Sequence, residues 1–275
     1  MNYLTLVGNI IIVLLVLLVI YSILRYKKEI KISEDNYQLK VSQGEIEGKK
    51  TLYKFGYNGD VDQTEVTVRT DPAAIEFPDT SFTAYIKSSD PSDTINGTGA
   101  RKVVVSGLDQ NYDEKSITVE LDGTTNVKIG DDSSWIRIFR AFVSESGSSG
   151  STVGTLTIGN SGETSVYAKI EPGEDQTLIG AYTVPKGYTL YLDDITFTAA
   201  LSQANKKIIV KVQIKNFGTN TFNTKFKNVI QSGTTTYKFN YPYKILEKSD
   251  IRLRAKANID NNEVSGTFQG ILVKN

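Results

Sequence analysis

The chain has 275 residues, with 31 basic and 31 acidic side chains and a formal charge of zero. It holds no His and no Cys. That excludes disulfides, thiolate nucleophiles, imidazole general bases, Ser-His-Asp triads and metal centres ligated by His or Cys. Catalysis would fall to carboxylates, Lys or Tyr alone, so the composition argues against an enzyme and implies no cofactor. Charge neutrality argues equally against a general nucleic-acid binder, which carries a basic excess. The 15 Tyr and 11 Phe, with abundant Thr, Ser, Gly and Asn, suit pleated, half-exposed strands and the turns between them.

Residues 1–24 carry no charged side chain. From Leu4 to Leu24 the chain is predominantly apolar, and Ile10, Ile11, Ile12, Val13, Leu14, Leu15, Val16, Leu17, Leu18, Val19 and Ile20 run without interruption. As a helix this stretch spans ~31 Å, close to a hydrocarbon core of about 30 Å. Tyr3, Tyr21 and Tyr26 stand where interfacial aromatics are favoured. A cleaved signal peptide needs a basic start and a small-residue cleavage site. Met1-Asn2-Tyr3 and Tyr21-Ser22-Ile23-Leu24-Arg25 offer neither. The expectation is an uncleaved transmembrane helix over residues 1–25. Arg25, Lys27, Lys28 and Lys31 follow it directly, and no basic side chain precedes it. The positive-inside rule therefore places the rest of the chain on the cytoplasmic side. Residues 26–50, rich in Lys and Glu, read as a juxtamembrane stalk.

From Thr51 onward the apolar pattern has period two. Val66 and Val68 alternate with polar neighbours, as do Ile117, Val119 and Leu121, then Leu156 and Ile158. Val210, Val212 and Ile214 repeat the pattern, followed by Ile251, Leu253 and Ala255. Each run buries one face and wets the other, as antiparallel sheets do. Asn58-Gly59, Asp122-Gly123, Gly130-Asp131, Gly147 to Gly150, Pro185 to Gly187 and Ser232-Gly233 supply turns. Pro, Gly and acids at Glu171 to Asp175 interrupt the pattern. The expectation is all-β: two antiparallel β-sandwich or jelly-roll-like domains in tandem, 51–170 and 176–275, behind the N-terminal transmembrane helix.

Few residues stand out as chemical sites. Asp60, Asp62, Asp131, Asp132 and Asp260 are candidate calcium ligands, but without EF-hand spacing they read as turn acids beside Gly and Asn. Asp193-Asp194 interrupts a strand pattern, which a bulge or a strand-to-strand turn accounts for as well as a carboxylate pair does. Trp135, Tyr188, Tyr191, Tyr237, Tyr241 and Tyr243 could form a sugar-stacking platform, although Trp135 opens an apolar run and reads as core. Asn96-Gly97-Thr98 is the one Asn-X-Ser/Thr sequon, a weak glycosylation candidate at Asn96. No catalytic or metal-binding residue is assigned.

A series of segments goes beyond composition. It comprises Phe55 to Val61, Asp93 to Arg101, Ser106 to Asp109, Val119 to Thr125, Arg140 to Val143 and Gly147 to Gly150. Gly173 to Thr177, Tyr182 to Gly187 and Ser249 to Ala255 continue it. In this order, over most of residues 55–273, it resembles β-rich virion structural proteins of marine tailed phages and large DNA viruses of algae. The resemblance implies a non-enzymatic capsid or virion-surface component. Those relatives are soluble, whereas this chain opens with an apolar span, which shifts the expectation to a virus with an internal lipid layer. The implied role is a minor capsid protein linking that membrane to the shell. Its partners would be the major capsid protein, other minor capsid proteins and lipid, without nucleic acid. Its C-terminal domains would face the capsid, the cytoplasmic face of the host membrane during assembly. The alternatives are a surface spike or adhesin binding host glycans or a receptor through loops such as Ser144 to Thr152, and a carboxylate-based glycan hydrolase.

Overall fold

The computed structural model describes residues 12–25, 37–200 and 206–275. Residues 1–51 and 52–275 form separate compact units. In the first, residues 12–25 are helical, and their apolar side chains are exposed throughout, Leu18 at 63%. Among the described residues no helix is long and apolar enough to cross a membrane. Of the span expected from Leu4 to Leu24, only the part from Ile12 onward is described; it covers ~20 Å. Leu4, Ile10 and Ile11 lie outside the described residues, as do Lys27, Lys28 and Lys31 of the basic flank. The expected stalk contains a short helix, Tyr37–Ser42, which ends ahead of Gly44 at φ +76°.

The described residues then form sixteen strands: β1 (Lys49–Val61), β2 (Val66–Thr67), β3 (Ala84–Ser88), β4 (Ala100–Leu108), β5 (Glu114–Glu120), β6 (Val127–Ile129), β7 (Arg137–Ser146) and β8 (Leu156–Gly159). They continue as β9 (Val166–Ile170), β10 (Ala181–Thr183), β11 (Tyr188–Ala200), β12 (Ile208–Lys215), β13 (Asn223–Ile230), β14 (Gly233–Ile245), β15 (Asp250–Ala257) and β16 (Asn262–Lys274). The all-β, antiparallel expectation holds.

One sheet runs β1-β16-β11-β14, and the sheet facing it runs β10-β15-β12-β13, with β2 also on β15. Counting β2 and β10, which share a sheet, as one strand position, every connection passes from one sheet to the other except β12 to β13. Eight strand positions wound in this way make a jelly roll. Its core gathers Leu190, Leu192, Phe197, Val210, Val212, Leu253, Val264 and Phe268 from the alternating inward positions. Burying each large apolar side chain contributes about 1.5–3 kcal/mol.

The second strand position of this jelly roll is split. Val66 and Thr67 stand opposite Ala255 and Arg254, and Ala181 to Thr183 stand opposite Arg252 to Asp250. At the break, the Val68 N–H donates to the Leu253 carbonyl at 2.9 Å, and the Leu253 N–H donates to the Gly180 carbonyl at 2.8 Å. The two segments then leave side by side: the Gly180 N–H donates to Val68 O and the Thr70 N–H to Leu178 O. Residues 69–179 are thus an insertion into one strand.

The insertion is a second sandwich, with sheets β6-β3-β8-β9 and β5-β4-β7. Its separate core holds Ile86, Val103, Val105, Trp135, Leu156, Ile158 and Ile170. The tandem arrangement expected from sequence is therefore corrected to a nested one. β1 and β2, assigned by sequence to 51–170, pair with strands beyond residue 181. Alternation identifies a strand but carries no label for its partner. Glu171 to Asp175 is not a linker. The Asp175 carbonyl accepts the Val143 N–H at 2.8 Å, and its Oδ1 accepts the Thr152 N–H at 2.9 Å.

Candidate functional site

Among the described residues, buried charge gathers at the seam between the two sandwiches. Arg137, at the start of β7, lies 4% exposed, and Asp250, at the start of β15, lies 1% exposed. The Arg137 Nη2 donates to Asp250 Oδ1 at 3.2 Å and Oδ2 at 3.3 Å, while Nη1 donates to the carbonyls of Pro78 and Ile136. Arg137 Nε donates to Thr183 Oγ1 at 3.0 Å, and that hydroxyl donates to Asp250 Oδ1 at 2.6 Å. Lys215 Nζ lies 3.0 Å from Asp250 Oδ2. Phe77 and Tyr112 put rings 5.4 and 5.6 Å from the guanidinium. Side chains from three separate stretches of chain thus converge on one carboxylate.

A further ion pair extends the seam, Arg252 Nη1 lying 3.2 Å from Glu76 Oε2. Beside it, within the jelly roll, Glu65 pairs with Lys211 and Arg254. Burial would raise the Glu65 carboxyl, but the Lys211 and Arg254 cations outweigh it and hold it below the usual range. An open cleft of about 140 Å³ borders the network between Tyr112, Arg137, Lys215, Lys248 and Asp250. The Lys248 ammonium sits 5.6 Å from the Tyr112 ring and 4.9 Å from that of Phe217. Asp250, Glu76 and Glu65 are each paired with cations. No two of them form a carboxylate pair free to act as general acid and base.

Lys54 is the least expected member. Its Nζ donates to the Phe139 carbonyl of the inserted sandwich at 2.6 Å. Burial, together with the Arg140 and Arg69 charges, pushes its pKa down to about 7. An unfolded lysine titrates near 10.4. Because the folded value is depressed, the unfolded chain binds the extra proton between those two pH values. Stability should therefore rise with pH from about 7 to about 10, by about 3–5 kcal/mol in all. Tyr182, whose hydroxyl burial pushes well above its usual range, works in the opposite sense only where tyrosines ionise, near pH 10. Urea midpoints between pH 7 and 9.5 isolate the lysine, and Lys54→Met should flatten that slope.

A second polar centre orders the free end of the insertion. Asp93 is fully buried, and its carboxylate accepts from Ser88 Oγ, Thr152 Oγ1 and the N–H groups of Ala100, Val153 and Gly154. Burial would raise this carboxyl, but the Ser88 hydroxyl and the three backbone donors together hold it low. It draws the Asp93 to Arg101 segment against the Gly147 to Gly150 loop. There the Gly147 and Ser149 N–H groups donate to Gly99 O and Thr98 O.

The sequence candidates scatter. Trp135 is fully buried in the inserted core and donates to the Ile129 carbonyl at 2.8 Å, whereas the candidate tyrosines belong to the jelly roll. Trp135 therefore shares no platform with them, while Tyr237 and Tyr243 are joined through the ring of Phe239. Asp193 and Asp194 sit at a bulge in β11, and Asp194 Oδ2 accepts from Gln269. Asp62 caps the Asn261 N–H, Asp260 takes Gln63, and Asp132 pairs with Lys128. Among the described residues no group of three or more acids is placed to hold a metal ion. Asn96 is exposed on its loop. The seam itself was missed, and its one sequence signal was Arg137 standing inside the run from Trp135 to Phe139.

The molecule thus belongs to the class of jelly rolls that carry a second β-sandwich inserted into one strand, with a buried ionic seam between the two. No protein-family model and no curated protein matches the chain. Among solved structures it is similar to a chain of the cowpea mosaic virus top component, a naturally occurring empty particle. The identity is 8%, over 71% of this chain and 83% of that one, with a TM-score of 0.21. A likeness of that size carries no argument about function.

Proposed function

We propose that the protein is a structural virion component, a minor capsid protein that links an internal lipid membrane to the capsid shell. The observation that carries this reading is the nesting of one sandwich inside a strand of a jelly roll, with Asp250 and Glu76 paired across the seam to Arg137 and Arg252. Such a body offers rigid faces and edges to neighbouring subunits. Jelly rolls recur in capsid and lectin domains. The ordered motif series along 55–273 supports the virion assignment. The apolar helix at 12–25, exposed along its length, and Arg25 at its end support an anchor in lipid, with major capsid subunits as the partners of the β-sandwiches.

The test is limited proteolysis of purified particles before and after mild loosening of the shell, with peptides read by mass spectrometry. Peptides from 52–275 are expected only once the shell is loosened, and those from 1–25 only after detergent is added. Release of the 52–275 peptides from intact particles would replace this role with that of an outward spike. Absence of the protein from particles would remove both.

A further inference from the structure

The chain is neutral as a whole, but its charge is sharply segregated. Residues 195–246 hold eight lysines and no acid or arginine. Residues 69–179, the insertion, hold seventeen acids against nine bases, a net of −8. The lysine-rich stretch builds β12, β13 and β14, and the last two are the terminal strands of the two jelly-roll sheets. The insertion leaves through β2 and β10, at the opposite edge of their sheet.

Lys225 and Lys227 on β13, with Lys238 and Lys244 on β14, are exposed, and none has an ion-pair partner among the described residues. Lys238 stands across from Asp194, whose carboxylate accepts from Gln269. Between the two pairs of lysines runs a row of rings. Phe226 and Tyr237 lie 5.0 Å apart, Tyr237 and Phe239 4.9 Å, and Phe239 and Tyr243 5.9 Å. Tyr237 is 44% exposed, and Tyr241 beside it is 87% exposed. Rings with both apolar and polar atoms, framed by charge, are the composition of protein-binding surfaces.

We propose that the β13–β14 edge docks the acidic inserted sandwich of a second copy of this chain. Two such edges cannot pair with each other, because lysine would face lysine across a two-fold contact. The complementary contact is head to tail, which generates rings or open arrays, not closed two-fold dimers. A long polyanion drawn to this edge would also meet the acidic insertion of the same molecule. A second copy presents its acids without adding a further block of uncompensated charge.

Sedimentation velocity of the full chain in a neutral detergent, at about 50 mM and about 500 mM salt, tests this. Oligomers are expected at low salt and monomers at high salt. The charge-reversed chain K225E/K227E/K238E/K244E should be monomeric at both, with an unchanged melting temperature. Added in excess to the unaltered chain, it should shorten the oligomers, because its insertion can still cap a free edge. The milder K225Q/K238Q should weaken association by at least about tenfold, and it serves if the reversed chain fails to fold. Monomers of the unaltered chain at low salt would overturn the proposal, as would oligomers that survive high salt or the lysine replacements. Binding of that monomer to anionic vesicles, or to a single-stranded oligonucleotide, would reassign the edge to lipid or nucleic acid.

Discussion

Arg137→Met is expected to destabilise the fold by about 3–5 kcal/mol, the range for breaking one partner out of a buried ion pair. The side chain lengths are similar, so little packing volume is lost. What goes is the planar fork that reaches Asp250 twice and Thr183 once while spanning to the Pro78 and Ile136 carbonyls. Lys215 remains on Asp250 Oδ2, but a single ammonium cannot replace a bidentate guanidinium. Arg137→Lys should rescue little for the same reason. Asp250→Asn leaves Arg137 and Lys215 facing each other, and it should cost a comparable amount. Urea denaturation of the two single variants and of the double variant gives the coupling between them. A loss below about 1 kcal/mol in Arg137→Met would show that the seam is held by apolar contact and not by this network.

Gly56→Ala should be close in effect, by a different route. A Cβ at residue 56 would lie 2.1 Å from the Val68 carbonyl oxygen and 2.3 Å from the Gly180 nitrogen. Both are backbone atoms at the neck of the insertion, hydrogen-bonded to each other, and the remaining backbone groups of the same two residues bond Leu253. They have no rotamer through which to yield, so β1 must move off the split strand. Overpacking costs typically about 1–3 kcal/mol, and immovable backbone places this site at or above the upper end. Gly44→Ala makes the control, because nothing lies within 4 Å of the Cβ position there. Its own cost comes from φ +76° and stays local to the first unit. Thermal melts of the two variants separate the cases. A Gly56→Ala chain melting with the unaltered protein would mean that the sheets are not this close at the neck.

The same neck explains a reversal in β1. Alternation would suggest that Tyr53, Phe55 and Tyr57 face the core, yet the buried positions are Lys54, Gly56 and Asn58. Here β1 packs against polar backbone where one strand divides. A glycine, an amide that reaches the Thr67 carbonyl and an amine that reaches the Phe139 carbonyl fit that surface better than aromatic rings do. The period of the pattern was legible, and its phase was not. Asp93 was visible only as the first residue of a turn-rich segment. Its five hydrogen-bond donors come from residues 88, 100, 152, 153 and 154, and the last three are separated from it in the chain by β4 to β7.

Composition, period and turn chemistry were enough for an all-β chain of short antiparallel strands with an apolar N-terminal stretch. These properties are local: side chains alternate about the strand, and Gly, Asn and Pro act on their own backbone angles. The nesting of the sandwiches, the pairing of Arg137 with Asp250 113 residues away, and the gathering of lysines along one jelly-roll edge are non-local. Each depends on which strands lie side by side. A period-two pattern fits any neighbour of matching polarity, so strand partnership is settled only when the whole chain competes for the same two cores.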